Sequence, residues 1–131
     1  MKEMPKPTFV PQLVIGKGTM DIEFFKEAFG AIELRRFSND DGSVHVAELS
    51  IEEAMFHLHE ENPRSGTFSP GTHNGVTTII GLMVPDVDTV MARAIAAGAR
   101  ETSPAQDYEY GYRQGGLVDP FGHHWLIEQV I

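Results

Sequence analysis

Apolar positions along this chain change period in a fixed order, and the order occurs twice. From Thr8, "TFVPQLVI" is rich in β-branched residues and reads as a strand, which "GKG" breaks. In "TMDIEFFKEAFG" the apolar residues Ile22, Phe25 and Phe29 fall at i, i+3 and i+7, the spacing of an amphipathic helix. Asp21 suits its positive first turn, and Gly30 can take the left-handed conformation that ends it. "AIELRRFS" is a second strand, "NDDG" a tight turn, and "SVHVAELS" and "AMFHLHEE" two more strands hinged at Ile51-Glu52-Glu53. After an aperiodic stretch, "ENPRSGTFSPGTHNGV", the programme restarts. "TTIIGLMV" is a strand stopped by Pro85, and Asp86 or Asp88 can cap "VDTVMARAIAAG", whose stripe is Val87, Val90, Met91 and Ala94. Gly98 closes that helix as Gly30 closed the first. Strands are expected near Ala99–Ser103, Gly115–Asp119 and His124–Val130.

The reading is therefore α+β, with two βαβββ modules at 8–60 and 77–130 joined by a linker at 61–76, all in one domain spanning 1–131. A strand whose one face lies under a helix leaves its other face free to line a pocket.

Composition narrows what such a pocket serves. The 131 residues suffice for a core of their own, and a net charge of −9 with only ten Lys and Arg argues against nucleic acid or an anionic membrane surface as partner. Zero cysteines removes disulfides, thiolate nucleophiles and Cys-based metal centres. "MKEMPKPTFV" has no apolar signal region and no stretch is apolar enough to span a bilayer, so a cytoplasmic location is expected. Neither "GKG" nor "QGG" is a phosphate loop, and no nucleophile elbow is present.

Three segments carry a likeness: "IEFFKEAFGA" after the first strand, "VPDVDTVMARAIAAGA" after the fifth, and "DPFGHHWLIE" at the end. Together they resemble the vicinal oxygen chelate superfamily of glyoxalases, extradiol dioxygenases and bleomycin-resistance proteins. With "HVAEL" and "YGYRQGGLVDPFGH" the resemblance leans to the PhnB-like branch and covers roughly Phe9 to Gln129. It implies a cup-shaped eight-stranded mixed sheet with helices on its outer face, a homodimer, and a pocket inside the cup. Metal-using members place one ligand on the first and last strand of each module. By motif those positions are Val10, His57, Ile79 and Leu126, of which only His57 can bind a metal. The family quartet is therefore expected to be absent.

Other residues offer chemistry of their own. His57 and His59 are two apart on a strand and share a face, as do His124 and Glu128 on the last strand, so the four could form a different divalent-metal cluster. They could equally be polar residues on half-exposed strand ends. Adjacent His123 and His124 point to opposite faces, which makes His123 a solvent-facing or capping residue of the Asp119-Pro120-Phe121-Gly122 turn. Asp119 can bond the backbone ahead of it, and Trp125 and Ile127 should pack under a helix. His45 and Glu48 lie on opposite faces, so a His–carboxylate relay would need Glu48 to meet another histidine. His73 is expected in solvent. In "DYEYGYRQGG", Tyr108, Tyr110 and Tyr112 alternate and an extended backbone would gather their rings, beside Arg113. Arg113 either meets a ligand or pairs with a neighbouring acid. The expected function is binding of a small organic ligand by Gln12, His57, Met83, Tyr112 and Arg113, with no cofactor. The alternative is a lyase, isomerase or dioxygenase-like enzyme with a divalent ion on His57, His59, His124 and Glu128.

Overall fold

The computed structural model describes residues 6–131. Eight strands run in chain order: β1 (Gln12–Ile15), β2 (Ile32–Ser38), β3 (Val44–Ile51), β4 (Ala54–Glu60), β5 (Ile79–Met83), β6 (Arg100–Asp107), β7 (Tyr112–Val118) and β8 (His124–Val130). Helices α1 (Phe24–Phe29) and α3 (Val87–Ala96) follow the first strand of each half, and a one-turn helix α2 (Pro70–His73) lies between the halves. The two βαβββ modules and the α+β class follow the hydrophobic pattern. The strands are hydrogen-bonded as two four-stranded sheets of identical plan, β1-β4-β3-β2 and β5-β8-β7-β6. In each sheet the outer pair, β1/β4 or β5/β8, is parallel and the other neighbours are antiparallel.

Alternation along the strands separates two faces. Leu13 and Ile15 of β1, Ala47 and Leu49 of β3, and Phe56 and Leu58 of β4 are buried on one face of the first sheet. Leu117, Trp125 and Ile127 do the same for the second. Helix α1 adds Phe25 and Ala28, and α3 adds Val87, Met91 and Ala94. Both helix-side faces meet in one cluster: the Trp125 ring lies 4.8 Å from that of Phe29 and 6.2 Å from that of Phe25, and Phe25 stacks on Phe121 at 5.6 Å. Burial of these aromatic and aliphatic side chains is the main stabilising term, about 25 cal/mol for each Å² of apolar surface removed from water. Because the two sheets share this core, their open faces are turned away from it.

Local chemistry sets the ends of the elements. The Asp86 carboxylate caps α3, accepting from the Thr89 backbone N–H at 3.2 Å and the Thr89 hydroxyl at 2.9 Å. Gly30 ends α1 with φ of 69°. Helix α1 is shorter than its apolar period, since Asp21 accepts the Glu23 N–H in a turn before it, yet Ile22, Phe25 and Phe29 all reach the core. Strand β1 begins only at Gln12, and Phe9 is 96% exposed. Strand β6 runs on through Asp107, so the tyrosine segment is the β6–β7 turn, not a free loop.

The linker has more order than its composition suggests. It holds a 3-10 turn at Pro63–Ser65 and α2, whose Ser69 Oγ accepts from Thr72 N–H. The Glu61 carboxylate holds the start of α2, accepting from Ser69 N–H at 2.8 Å and the Thr72 hydroxyl at 3.1 Å. These donors hold the Glu61 carboxyl below the usual carboxylate range, the Ser69 N–H contributing most.

Candidate open-face binding site

The register of the first sheet builds a polar row across its open face. Gln12 sits opposite His57, His57 opposite Glu48, and Glu48 opposite Arg35, so one residue from each strand lies side by side. The Gln12 side-chain amide donates to Val10 O at 3.3 Å and meets His57 Nδ1 at 3.0 Å. An NH2 group only donates, so Nδ1 is the acceptor and a neutral His57 carries its proton on Nε2. His57 Nε2 is shielded from water and has no hydrogen-bond partner among the described residues, an arrangement that costs about 1–3 kcal/mol for a buried polar group. At the other end Arg35 Nη2 donates to Glu48 Oε2 at 2.8 Å. That bond, with the nearby positive charge, keeps the Glu48 carboxyl below its ordinary range. Arg35 also lies 4.9 Å from the centre of the Phe37 ring. Glu48 thus meets a histidine other than His45.

The second sheet answers with a different set. Met83 pairs with Glu128, Glu128 with Gln114, and Gln114 with Gln106. Gln114 Nε2 donates to Glu128 Oε1 at 2.6 Å, and the Tyr110 hydroxyl donates to Gln114 Oε1. The other carboxylate oxygen lies over Gly81, where a Cβ would stand 3.0 Å from it. Tyr108 stacks on Tyr110 at 5.3 Å, and Tyr112 meets Tyr110 edge-on at 5.9 Å. Desolvation, with Tyr108 and Glu128 nearby, raises the Tyr110 hydroxyl above its usual value.

Of the residues expected in a pocket, Gln12 and His57 are in direct contact, while Met83 and Tyr112 lie on the open side of the second sheet. Arg113 is a correction. It sits on the helix side of β7, where its guanidinium bonds Asp88 of α3 at 2.9 and 3.1 Å and Asp107 of β6 at 3.0 Å. Strand parity is the reason: Tyr112 and Arg113 are neighbours and cannot share a face. The metal alternative is not assembled either. His57 and His59 belong to one sheet, His124 and Glu128 to the other, and among the described residues no three His, Cys, Asp or Glu side chains are grouped to hold an ion. The family quartet also fails to fit, since Val10, Ile79 and Leu126 offer no ligand atoms on their side chains.

His123 is a second correction. It is 8% exposed, and Asp119 gathers the turn around it. The Asp119 carboxylate accepts from Phe121 N–H at 2.8 Å, His123 N–H at 3.0 Å and Trp125 Nε1 at 2.9 Å. His123 Nδ1 lies 3.3 Å from Asp119 Oδ2 without hydrogen-bond geometry. His73 is exposed, stacked on Phe68 at 6.2 Å. A groove of about 530 Å3 between β1 and the linker is lined by Gln12, Val14, Phe68, Pro70, Ile80 and His123, and touches the polar row only through Gln12. Arg35 and Gln114, the partners that orient the two carboxylates, were missed. Only strand register identifies them.

Comparison with known proteins agrees with this geometry. Residues 14–127 match the model of the Glyoxalase/Bleomycin resistance protein/Dioxygenase superfamily. An uncharacterized protein of Mycobacterium tuberculosis is 34% identical over 129 residues, covering 96% of this chain and 76% of that protein. The crystal structure of an Arabidopsis thaliana gene product superposes with a TM-score of 0.71 at 26% identity, covering 94% of this chain and 98% of that one. TioX from Micromonospora sp. ML1 shares the fold with a TM-score of 0.70 at 23% identity, covering 94% and 99%. Twin βαβββ modules with these motifs and these matches give one result: the chain belongs to the glyoxalase/bleomycin resistance protein/dioxygenase superfamily.

Proposed function

We propose that this chain is a cytoplasmic small-molecule-binding protein, bleomycin-resistance-like or PhnB-like, that works as a single two-module domain without the family metal. Its pocket forms when the open face of one copy meets that of a second in a homodimer. The observation that carries this reading is the outward aim of both open faces. They hold the Gln12–His57–Glu48–Arg35 row and the Glu128–Gln114–Tyr110 chain beside exposed Ile32 (60%), Ile79 (65%) and Met83 (51%). Exposed apolar residues around a few fixed polar groups are what a ligand pocket requires, and the described residues of a single chain leave them uncovered. In this reading a ligand acceptor that enters beside the shielded His57 Nε2–H gives it the partner it lacks in the single chain, Gln12 fixes the ring, and Met83 and Tyr112 give apolar contact. Arg113 braces β7 against α3 from behind.

A thermal-shift screen of organic ligands tests it. A true ligand at about 100 times its Kd stabilises by about 2.7 kcal/mol, and His57→Ala should cut that shift sharply. A broad library with no hit, or a hit that ignores both His57→Ala and Gln12→Ala, rejects the assignment. Sedimentation at micromolar concentration checks the dimer independently.

A further inference from the structure

We propose that His45 and His59 form a two-imidazole binding site for a borderline divalent transition-metal ion such as zinc or nickel. It lies at the end of the first sheet, apart from the His57 row, and it shares no residue with the family quartet or with the proposed ligand contacts.

The argument starts from which ring nitrogen holds the proton. His59 Nδ1 lies 2.7 Å from the backbone carbonyl of Glu60, which can only accept, so His59 donates through Nδ1. His45 Nδ1 lies 2.8 Å from Glu60 Oε1, a carboxylate oxygen that also accepts. Both neutral rings are therefore protonated on Nδ1, and both Nε2 atoms keep a lone pair. This is the state in which imidazole binds a metal, with the other nitrogen donating to a carboxylate or a carbonyl. His57 is in the opposite state, because Gln12 occupies its Nδ1.

Glu60 is itself held for this task. Asn39 Nδ2 donates to its second oxygen at 3.1 Å, so the carboxylate orients His45 and is not free to rotate away. The ring centroids of His45 and His59 are 5.3 Å apart. Two imidazoles on one tetrahedral ion, with Zn–N bonds of about 2.0–2.1 Å, place their centroids about 5 Å apart. No third side chain joins them among the described residues. The protein therefore supplies two nitrogens, and water fills the remaining positions. Imidazole nitrogen selects zinc, nickel or copper over magnesium or calcium.

The test uses the full chain, untagged and stripped with chelator. Zinc chloride is titrated by calorimetry while long-range 15N–1H spectra follow the histidine side chains. Before metal, His45 and His59 should show protonated Nδ1 and bare Nε2. Zinc should bind at one ion per chain and move those two Nε2 resonances. His45→Gln and His59→Gln should each weaken zinc at least 10-fold, and Glu60→Gln should weaken it by about 10–100-fold. His57→Gln and His73→Gln should leave it unchanged. Absence of zinc uptake, uptake that ignores both His45→Gln and His59→Gln, or Nε2-protonated rings in the metal-free protein would each overturn the proposal. The wild-type spectrum decides the matter even where a variant fails to fold. None of these readings depends on a ligand for the open faces, so the two proposals stand or fall separately.

Discussion

The side-chain NH2 of Gln12 meets His57 Nδ1 at 3.0 Å across the parallel β1–β4 pair, and it can only donate. The neutral ring must then be protonated on Nε2. Gln12→Glu replaces the donor by an acceptor, so the His57 proton should move to Nδ1. Its 15N shifts report the exchange directly. Unchanged shifts would mean that Gln12 does not set the tautomer.

Much of the fold was legible because each module's apolar residues follow one period at a time. Trp125 and Ile127 were expected under a helix and are buried; Val87, Met91 and Ala94 face the core as their spacing required. The Asp119 turn was visible in Asp-Pro-Phe-Gly; the tyrosine rings do gather, but around the β6–β7 turn and not along the extended backbone expected. What the sequence hid is cross-strand register. That Glu48 meets His57 and that His45 meets Glu60 depends on how β3 pairs with β4, and no local pattern encodes that pairing. The burial of His123 was hidden for a related reason. Asp119 turns its carboxylate inward to reach Trp125 Nε1, and His123 is carried in with it. Arg113 was read from its neighbours in sequence, whereas its partner Asp88 lies 25 residues away on α3.

Helix α3 should respond to acid through its cap. Bonds from the Thr89 N–H and hydroxyl hold the Asp86 carboxyl below its ordinary range, the backbone bond being the larger cause. A carboxyl depressed by folding contributes stability that is complete above its unfolded value near 3.9 and fades as pH falls through the folded one. Urea unfolding of wild type and Asp86→Ala should therefore differ at pH 6 and converge toward pH 3. A gap that stays constant with pH would show that the ionised cap is not its source.

The Asp119 carboxylate, itself buried, serves three donors, so its loss should be among the costlier single changes. Asp119→Ala leaves the Trp125 indole N–H and two backbone N–H groups without their acceptor. We expect about 2–4 kcal/mol of destabilisation, given about 1–3 kcal/mol for each buried group left unpaired and partial relief by water. Trp125→Phe in the same background should then cost less than it does in wild type, because the indole N–H no longer has a partner to lose. Additive costs would contradict the shared-acceptor account.

Gly115 and Gly116 sit side by side on β7 and admit neighbours from opposite faces. A Cβ on Gly115 would come within 2.9 Å of Met91 Cε and 3.3 Å of the Ala105 backbone. On Gly116 it would lie 2.7 Å from Thr102 Oγ1. Met91 is buried against the sheet, so Gly115→Ala forces its thioether end to repack and presses on the β6 backbone, an overpacking cost of about 1–3 kcal/mol. Thr102 is exposed, and its hydroxyl has room to rotate. Gly116→Ala should thus cost less, and Thr102→Ala should recover most of what it loses. Chemical denaturation of the single and double variants measures both effects. A Gly116→Ala penalty as large as that of Gly115→Ala, and untouched by Thr102→Ala, would place the constraint in the backbone of β7 itself.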